Sequence, residues 1–392
     1  MGGHNYGHVY IGAIGLILTY FYHGRKNDRA IVQNCLNCLA CKAVCPVGIN
    51  LPLLIKRVHG EVLAEEGKRP FKNRLLRKVL KNRRLFHFLL RRASLVQKPL
   101  VREGFIRHLP FFFGKEHEFR SLPAIVRTPL RDRWDRIAKK VDQPRLKVAL
   151  FAGCLVDFAY PEQGEALAQV LRGHQVQVDF PPDQSCCGLP AKCMGEMEIA
   201  REVAIQNLKA LDPADYDHIL VLCASCGSHL KEAYPKLLAG TPAAVKVEQL
   251  VAKLIDFSSF MTRVLQVQPE MFRDQEKKVA YHSPCHLCRG LGVVQEPRDL
   301  LGIAGLEYLP AQDEDTCCGM GGTFSMDFPE LSAALLQKKL DAVEETGAEL
   351  LVTDCPGCVL QLKGGMDMRG RQVQVKHIAE AVAAGKIEPD QG

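Results

Sequence analysis

From residue 146 onward, apolar residues gather in runs of strand length, and the stretches between them carry apolar positions at helical spacing. The runs are residues 147–154 (KVALFAGC), 176–180 (VQVDF) and 218–226 (HILVLCASC), with helical stretches at 162–173 and 198–211. The same order returns at 279–285 (VAYHSPC), 306–310 (LEYLP) and 349–358 (ELLVTDCPGC). Strands alternating with helices predict a parallel sheet with crossover helices. The fold class expected is α/β, with two repeated units at residues 146–270 and 277–385 packed as a pseudo-twofold pair.

Upstream the pattern changes. Leu75, Leu76, Val79 and Leu80, then Leu85, Phe86, Leu89 and Leu90, have helical spacing and predict a helical connector over residues 61–145. Pro99, Pro110, Pro123 and Pro129 punctuate its second half and predict an irregular wrap. In residues 1–60 a helix is expected from Asn50. The apolar stretch Val9–Tyr22 is 14 residues long and carries Gly12 and Gly15. A spanning helix needs about 20 residues, so this one predicts a buried or interfacial segment. No Lys or Arg precedes it, so a secretory signal is not expected.

At 392 residues, with 47% hydrophobic and 24% charged, the chain has the composition of a globular protein of two or three domains. The net charge of +7 is unevenly placed. Lys68 to Lys147 holds 24 Lys and Arg against 6 Asp and Glu, a balance of +18 that leaves −11 elsewhere. Interleaved with Phe86, Phe88, Phe111, Phe112, Phe113 and Trp134, this block predicts either a solvated connector or a face for an anionic membrane surface or acidic partner. No nucleic-acid motif accompanies it, so nucleic acid is not an expected partner.

The 16 cysteines change the picture most. Cys35-x2-Cys38-x2-Cys41-x3-Cys45-Pro46 is one cluster. Cys154, Cys186-Cys187-Gly188 and Cys223-x2-Cys226 form a five-cysteine set, repeated as Cys285, Cys317-Cys318-Gly319 and Cys355-x2-Cys358. The two sets are offset by 131 positions at their first three cysteines and by 132 at the last two. With no signal peptide expected, a reducing compartment and ligand thiols are expected as well. These cysteines fall at or beyond strand carboxyl ends, where open α/β sheets bind ligands.

The first motif predicts a cubane [4Fe–4S] cluster, with zinc the competing metal. In two-cluster ferredoxins the fourth cysteine ligates the other cluster, so Cys45 has either a local or a second-cluster role. Five thiolates exceed what one structural zinc takes, and they suit an iron–sulfur assembly better. Gly188 and Gly319 allow main-chain amides to approach sulfide, and Gly319–Thr323 reads as an anion-binding nest. His282 and His286 flank Cys285 as second-layer hydrogen-bonders or proton carriers. Cys193 and Cys288 read as packing thiols, and Asp157 and Tyr160 as pocket-lining candidates. Flavin and nicotinamide fingerprints are missing, as are catalytic triads and paired carboxylates. That leaves electron relay, or chemistry at the clusters themselves.

At these residues the chain resembles the Cys-Cys-Gly cysteine-rich domains of the heterodisulfide reductase B family and of the iron–sulfur subunits of glycolate oxidase and anaerobic glycerol-3-phosphate dehydrogenase. That resemblance implies two further [4Fe–4S] clusters, noncubane in the heterodisulfide reductase branch, on the two five-cysteine sets. Residues 154–166, 180–191, 317–332 and 375–383 resemble the A proteins of the lactate-utilisation family. Residues 2–15, 38–57 and 121–134 resemble the C-terminal half of its B proteins. A partial ferredoxin-like segment, a basic connector and two cysteine-rich domains are thus expected, from a truncated, split or fused subunit. The implied function is an iron–sulfur electron-transfer subunit for oxidation of L-lactate to pyruvate. It would be cytoplasmic or peripheral at the inner membrane face, with redox partner subunits and quinone or the membrane surface as partners. Both Cys-x2-Cys pairs are complete, unlike many A proteins, which draws the chain toward disulfide reduction or glycolate and glycerol-3-phosphate oxidation as the alternatives.

Overall fold

The computed structural model describes residues 12–23, 35–66, 71–108 and 118–387. Helix α1 (Ala13–His23) lays Leu16 and Tyr20 on Ile55, Val58 and Val62 of α2 (Leu51–Glu66). Its other face exposes Ile14, Phe21 and Tyr22. The apolar segment is therefore half buried, although residues 1–11 lie outside the described part, as do Lys68, Pro110 and Phe111–Phe113. Among the described residues no helix is long and apolar enough to cross a membrane.

Helices α3 (Phe71–Lys81) and α4 (Arg83–Val96) follow. Asn82 separates them and caps α4, its Oδ1 accepting from the Leu85 amide at 3.0 Å. Leu80 is buried on Ile199, Ala200 and Val203, with Leu76 and Phe86 beside it. The wrap that follows is more regular than expected. Val101–Arg102 (β1), Phe105–Ile106 (β2) and Leu122–Pro123 (β3) form a small antiparallel sheet. Glu103 and Gly104, at φ 53° and 83°, make the two-residue turn between β1 and β2. Helix α5 (Leu130–Ile137) then delivers Leu130 and Trp134 to the core of the first repeat.

The first repeat runs β4 (Leu146–Phe151), α6 (Pro161–Leu171), β5 (Val176–Asp179), α7 (Met197–Ala210), β6 (His218–Val221), α8 (Ala224–Glu232) and β7 (Leu254–Asp256). The second runs β8 (Lys277–Tyr281), α9 (Glu296–Ile303), β9 (Leu306–Leu309), α10 (Pro329–Glu344), β10 (Leu350–Thr353), α11 (Pro356–Met368), β11 (Gln374–His377) and α12 (Ile378–Gly385). The sheet orders are β5-β4-β6-β7 and β9-β8-β10-β11, with every pair parallel. The expected α/β architecture is present, and each sheet has a fourth strand that the apolar pattern does not predict. β7 follows directly from a helix at Ala244–Lys253 with no turn residue to announce it.

The two sheets share one core. Val148, Leu150 and Leu220 lie in the same buried cluster as Val279, Tyr281, Val352 and Ile378. Polar links cross the junction as well. The Ala224 amide donates to the Asp354 carbonyl at 3.2 Å, and His377 Nε2 lies 2.7 Å from the Leu222 carbonyl oxygen.

Much of the connector's charge is spent inside the protein. Arg77 pairs with Glu196, Lys81 with Glu202, Arg83 with Asp183, Arg107 with Asp367 and Arg133 with Glu165. Arg131 holds the buried Asp157 and stacks on Phe158 at 5.4 Å. An acidic partner for the basic block is thus the repeat region of the same chain.

Candidate metal centre

The strand ends and the helices they feed place each thiol. Cys223 and Cys355 stand two residues past β6 and β10 and occupy the N-cap positions of α8 and α11. Cys226 and Cys358 lie one turn further on, so each Cys-x2-Cys pair faces one way. The Cys226 amide donates to Cys223 Sγ at 3.4 Å. Gly188 and Gly319 adopt φ of 92° and 85°, which turns their amides onto Cys186 Sγ and Cys317 Sγ, each at 3.5 Å. The repeat thus extends to the hydrogen bonds on sulfur.

All ten cysteines of the two sets line one cavity of about 150 Å³, together with Cys193, Leu36 and Asn37. No cysteine of the chain is in a disulfide. The ten thiols form an unbroken run. Cys154 contacts Cys186, Cys186 contacts Cys187, Cys187 contacts Cys226, and Cys226 contacts Cys223. Cys223 meets Cys355 across the junction. From there the run continues through Cys358 and Cys318, 3.6 Å apart, to Cys317 and Cys285. Hydrogen bonds from Cys186 and Cys226 hold the Cys187 thiol below its usual range. Contacts with Cys223 and Cys358 hold Cys355 down, and those with Cys317 and Cys358 hold Cys318 down. A hydrogen bond to Cys186 and burial push Cys154 up. So many buried thiols in contact can lose their protons together only around positive charge.

The N-terminal motif is set against the second repeat. Leu36 reaches Gly321, where an added Cβ would come within 2.7 Å of it. The Gly319–Thr323 stretch, expected as an anion nest, therefore receives an apolar side chain. Cys35, Cys38 and Cys41 lie within electrostatic range of one another, and Cys38 within range of Cys285 and Cys317. Arg289 Nε donates to the Cys38 carbonyl at 2.9 Å and ties the motif down. Cys45 accepts from the Ile49 amide at 3.4 Å, among exposed Val44, Val47 and Ile49.

His286 lines the cavity and is held by Ser225 Oγ at 2.9 Å and Asn37 Nδ2 at 3.3 Å. His282 is buried, its ring grouped with Cys318 and Cys358, and among the described residues neither of its nitrogens has a hydrogen-bond partner. Cys193, expected to pack, lines this cavity and a second pocket shared with Cys35. Cys288 points its thiol at the Cys285 carbonyl at 3.8 Å and does not line the cavity. Asp157 and Tyr160 are not lining residues either, because Arg131 takes the first and the second packs on Val359 and Leu360. Sequence reasoning missed Ser225 and Asn37, which carry no motif of their own, and read Met320 only as part of the Gly319–Thr323 nest.

The family described as "CCG: Cysteine-rich domain" matches residues 148–231 and 279–363, the two units whose thiols meet. The chain is 36% identical to lactate utilization protein A of Shouchella clausii over 240 residues, 60% of this chain and 98% of that protein. The chain belongs to this cysteine-rich domain family. Its other relatives widen the range. A protein named "Probable glycolate oxidase iron-sulfur subunit" from Bacillus subtilis is 29% identical over 367 residues, 90% of this chain and 82% of its own length. A fumarate reductase (CoM/CoB) subunit of Methanothermobacter marburgensis is 36% identical over 239 residues, and the match spans 60% of this chain and 46% of that one. Two of these relatives are named as subunits of oxidoreductases, one of a glycolate oxidase and one of a fumarate reductase.

Proposed function

We propose that the chain is an iron–sulfur electron-transfer subunit whose leading process is oxidation of L-lactate to pyruvate. The unbroken run of ten thiols around one cavity carries this reading. Cys154, Cys186, Cys187, Cys223 and Cys226 would hold one [4Fe–4S] cluster, and Cys285, Cys317, Cys318, Cys355 and Cys358 a second. Cys35, Cys38, Cys41 and Cys45 would serve a cubane. The donors fit: they are free soft thiols, with the Gly188 and Gly319 amides already aimed at sulfur. Bound clusters supply one-electron storage, so that two of them together match a two-electron substrate.

The chain's own residues shape the rest. Apolar Leu36, Leu155, Leu189 and Met320 line the cavity and limit water, while His286 and Ser225 set polar groups at its wall. Oxidation of a 2-hydroxy acid to a 2-oxo acid releases two electrons and two protons, and redox partner subunits or quinone would take the electrons. Helices α3 and α4 expose Leu75, Phe88, Leu89 and Val96 on a basic block, which supports contact with an anionic membrane surface. The second reading is disulfide reduction, and the likeness to a fumarate reductase named for the thiols CoM and CoB supports thiol–disulfide chemistry, of which it is the reductive direction.

The test is iron, acid-labile sulfide and zinc per chain after anaerobic purification. About twelve irons fit three clusters. Zinc with little iron overturns the redox reading. Lactate, glycolate and disulfide turnover with partner subunits then separates the substrates, and salt-sensitive binding to anionic vesicles checks the membrane contact.

A further inference from the structure

The two thiol sets are alike in geometry and unlike in charge. Beside the second set lies Arg120, 7% exposed. Its guanidinium donates to Ser325 Oγ at 2.9 Å, reaches Met320 Sδ at 3.2 Å and stacks on Phe119 at 5.1 Å. Among the described residues it has no carboxylate partner, and the acidic groups within its electrostatic range are Cys318 and Tyr160. Lys339, 3% exposed, comes at the same set from α10. Its ammonium donates to the Asp313 carbonyl and, at 3.2 Å, to Thr316 Oγ1. The carboxylates near it are engaged elsewhere, Asp313 with Lys338 and Asp315 with Arg289.

The first set has a different neighbour. The charge that reaches Cys154 is the Asp157 carboxylate, already paired with Arg131, and the buried Lys192 of this repeat acts on Cys193 and Cys35 instead. A buried cation without a carboxylate is costly unless something anionic faces it. A cluster bound by thiolates is such a group, and it becomes more negative on reduction.

We infer that Arg120 and Lys339 hold the second-repeat cluster at a higher reduction potential than the first-repeat cluster, which makes the repeats functionally unequal. This rests on the iron–sulfur reading above. The same set adjoins the N-terminal motif, since Cys38 lies in range of Cys285 and Cys317. The more oxidising repeat site is thus the one next to the N-terminal motif. Arg120 and Lys339 act here as positioning charges and touch no substrate.

The experiment is a redox titration followed by electron paramagnetic resonance on the anaerobically purified full chain. Arg120→Met and Lys339→Met should each lower one repeat-cluster midpoint by a tenfold change in the reduced-to-oxidised ratio or more, about 59 mV for one electron. The other midpoint stays put, and Arg120→Lys restores the wild-type value. Cys317→Ser should abolish the signal that moves, and Cys186→Ser should leave it. Should Arg120→Met lose its iron, Lys339→Met carries the same requirement. Equal shifts at both clusters, or no shift with iron retained, overturn this inference alone. A wild-type chain without iron and sulfide overturns the functional reading instead.

Discussion

The thiols of Cys223 and Cys355 touch across the junction of the two repeats, each at the N-cap of the helix that follows its strand. Contact at that point makes one ten-thiol run out of two sets of five. Cys187→Ser and Cys318→Ser should each remove about four of about twelve irons, the content of one cluster. Cys288→Ser, whose thiol faces a carbonyl outside the cavity, should keep them all. Iron and sulfide analysis of the three variants checks this.

Cys223, Cys226, Cys355 and Cys358 are legible in the sequence because a strand end and a helix start fix their direction locally. The meeting of Cys223 with Cys355 is legible only as a consequence of repetition, since no local signal sets the angle between two sheets. Arg120 is invisible from sequence: one of many cations in the connector, it differs from Arg77 or Arg83 in lacking an acid, which only tertiary packing decides. The small sheet β1–β3 left one sign, the Glu103–Gly104 turn, and its strands are two residues each, too short for a periodicity to register.

Gly319 and Gly188 share a left-handed backbone but not the same surroundings. A Cβ at Gly319 would meet the Ser332 carbonyl oxygen at 2.8 Å, whereas one at Gly188 would meet the Val203 side chain at 3.3 Å. Left-handed geometry costs an L-residue about 1–2 kcal/mol in either place. Gly319→Ala should therefore lose more stability than Gly188→Ala, because backbone yields less than a side chain. Thermal unfolding of both variants, with iron content measured alongside, tests the order.

Arg131 fastens α5 to the first repeat. Its guanidinium bonds the buried Asp157 carboxylate and donates to the carbonyls of Pro182 at 2.9 Å and Gln184 at 3.3 Å. Burial outweighs this partner and keeps the Asp157 carboxyl above its usual range. Arg131→Met leaves that carboxyl unpaired and should cost about 3–5 kcal/mol. Arg131→Met with Asp157→Leu should cost less than the sum of the single changes, since the stranded charge is gone. Denaturant unfolding of the four proteins measures the coupling, and strict additivity would count against the pair.

His377 links the repeats through one ring nitrogen and caps a helix with the other. Nε2 lies 2.7 Å from the Leu222 carbonyl oxygen as its donor, and Nδ1 accepts from the Ala379 amide at 3.2 Å to cap α12. Protonation would take Nδ1 from the cap. Burial lowers the folded-state value from 6.5 to about 4. As pH falls, the unfolded chain therefore takes up this proton first. The contribution of neutral His377 to stability is whole above pH 6.5 and is lost as pH falls toward 4, at about 1.4 kcal/mol per unit. His377→Asn keeps an oxygen for the cap but cannot titrate. It should be less stable than wild type at about pH 7.5, and the gap should narrow by roughly 2 kcal/mol at about pH 5. Parallel unfolding curves of the two proteins between those values would show that His377 is not the group that titrates.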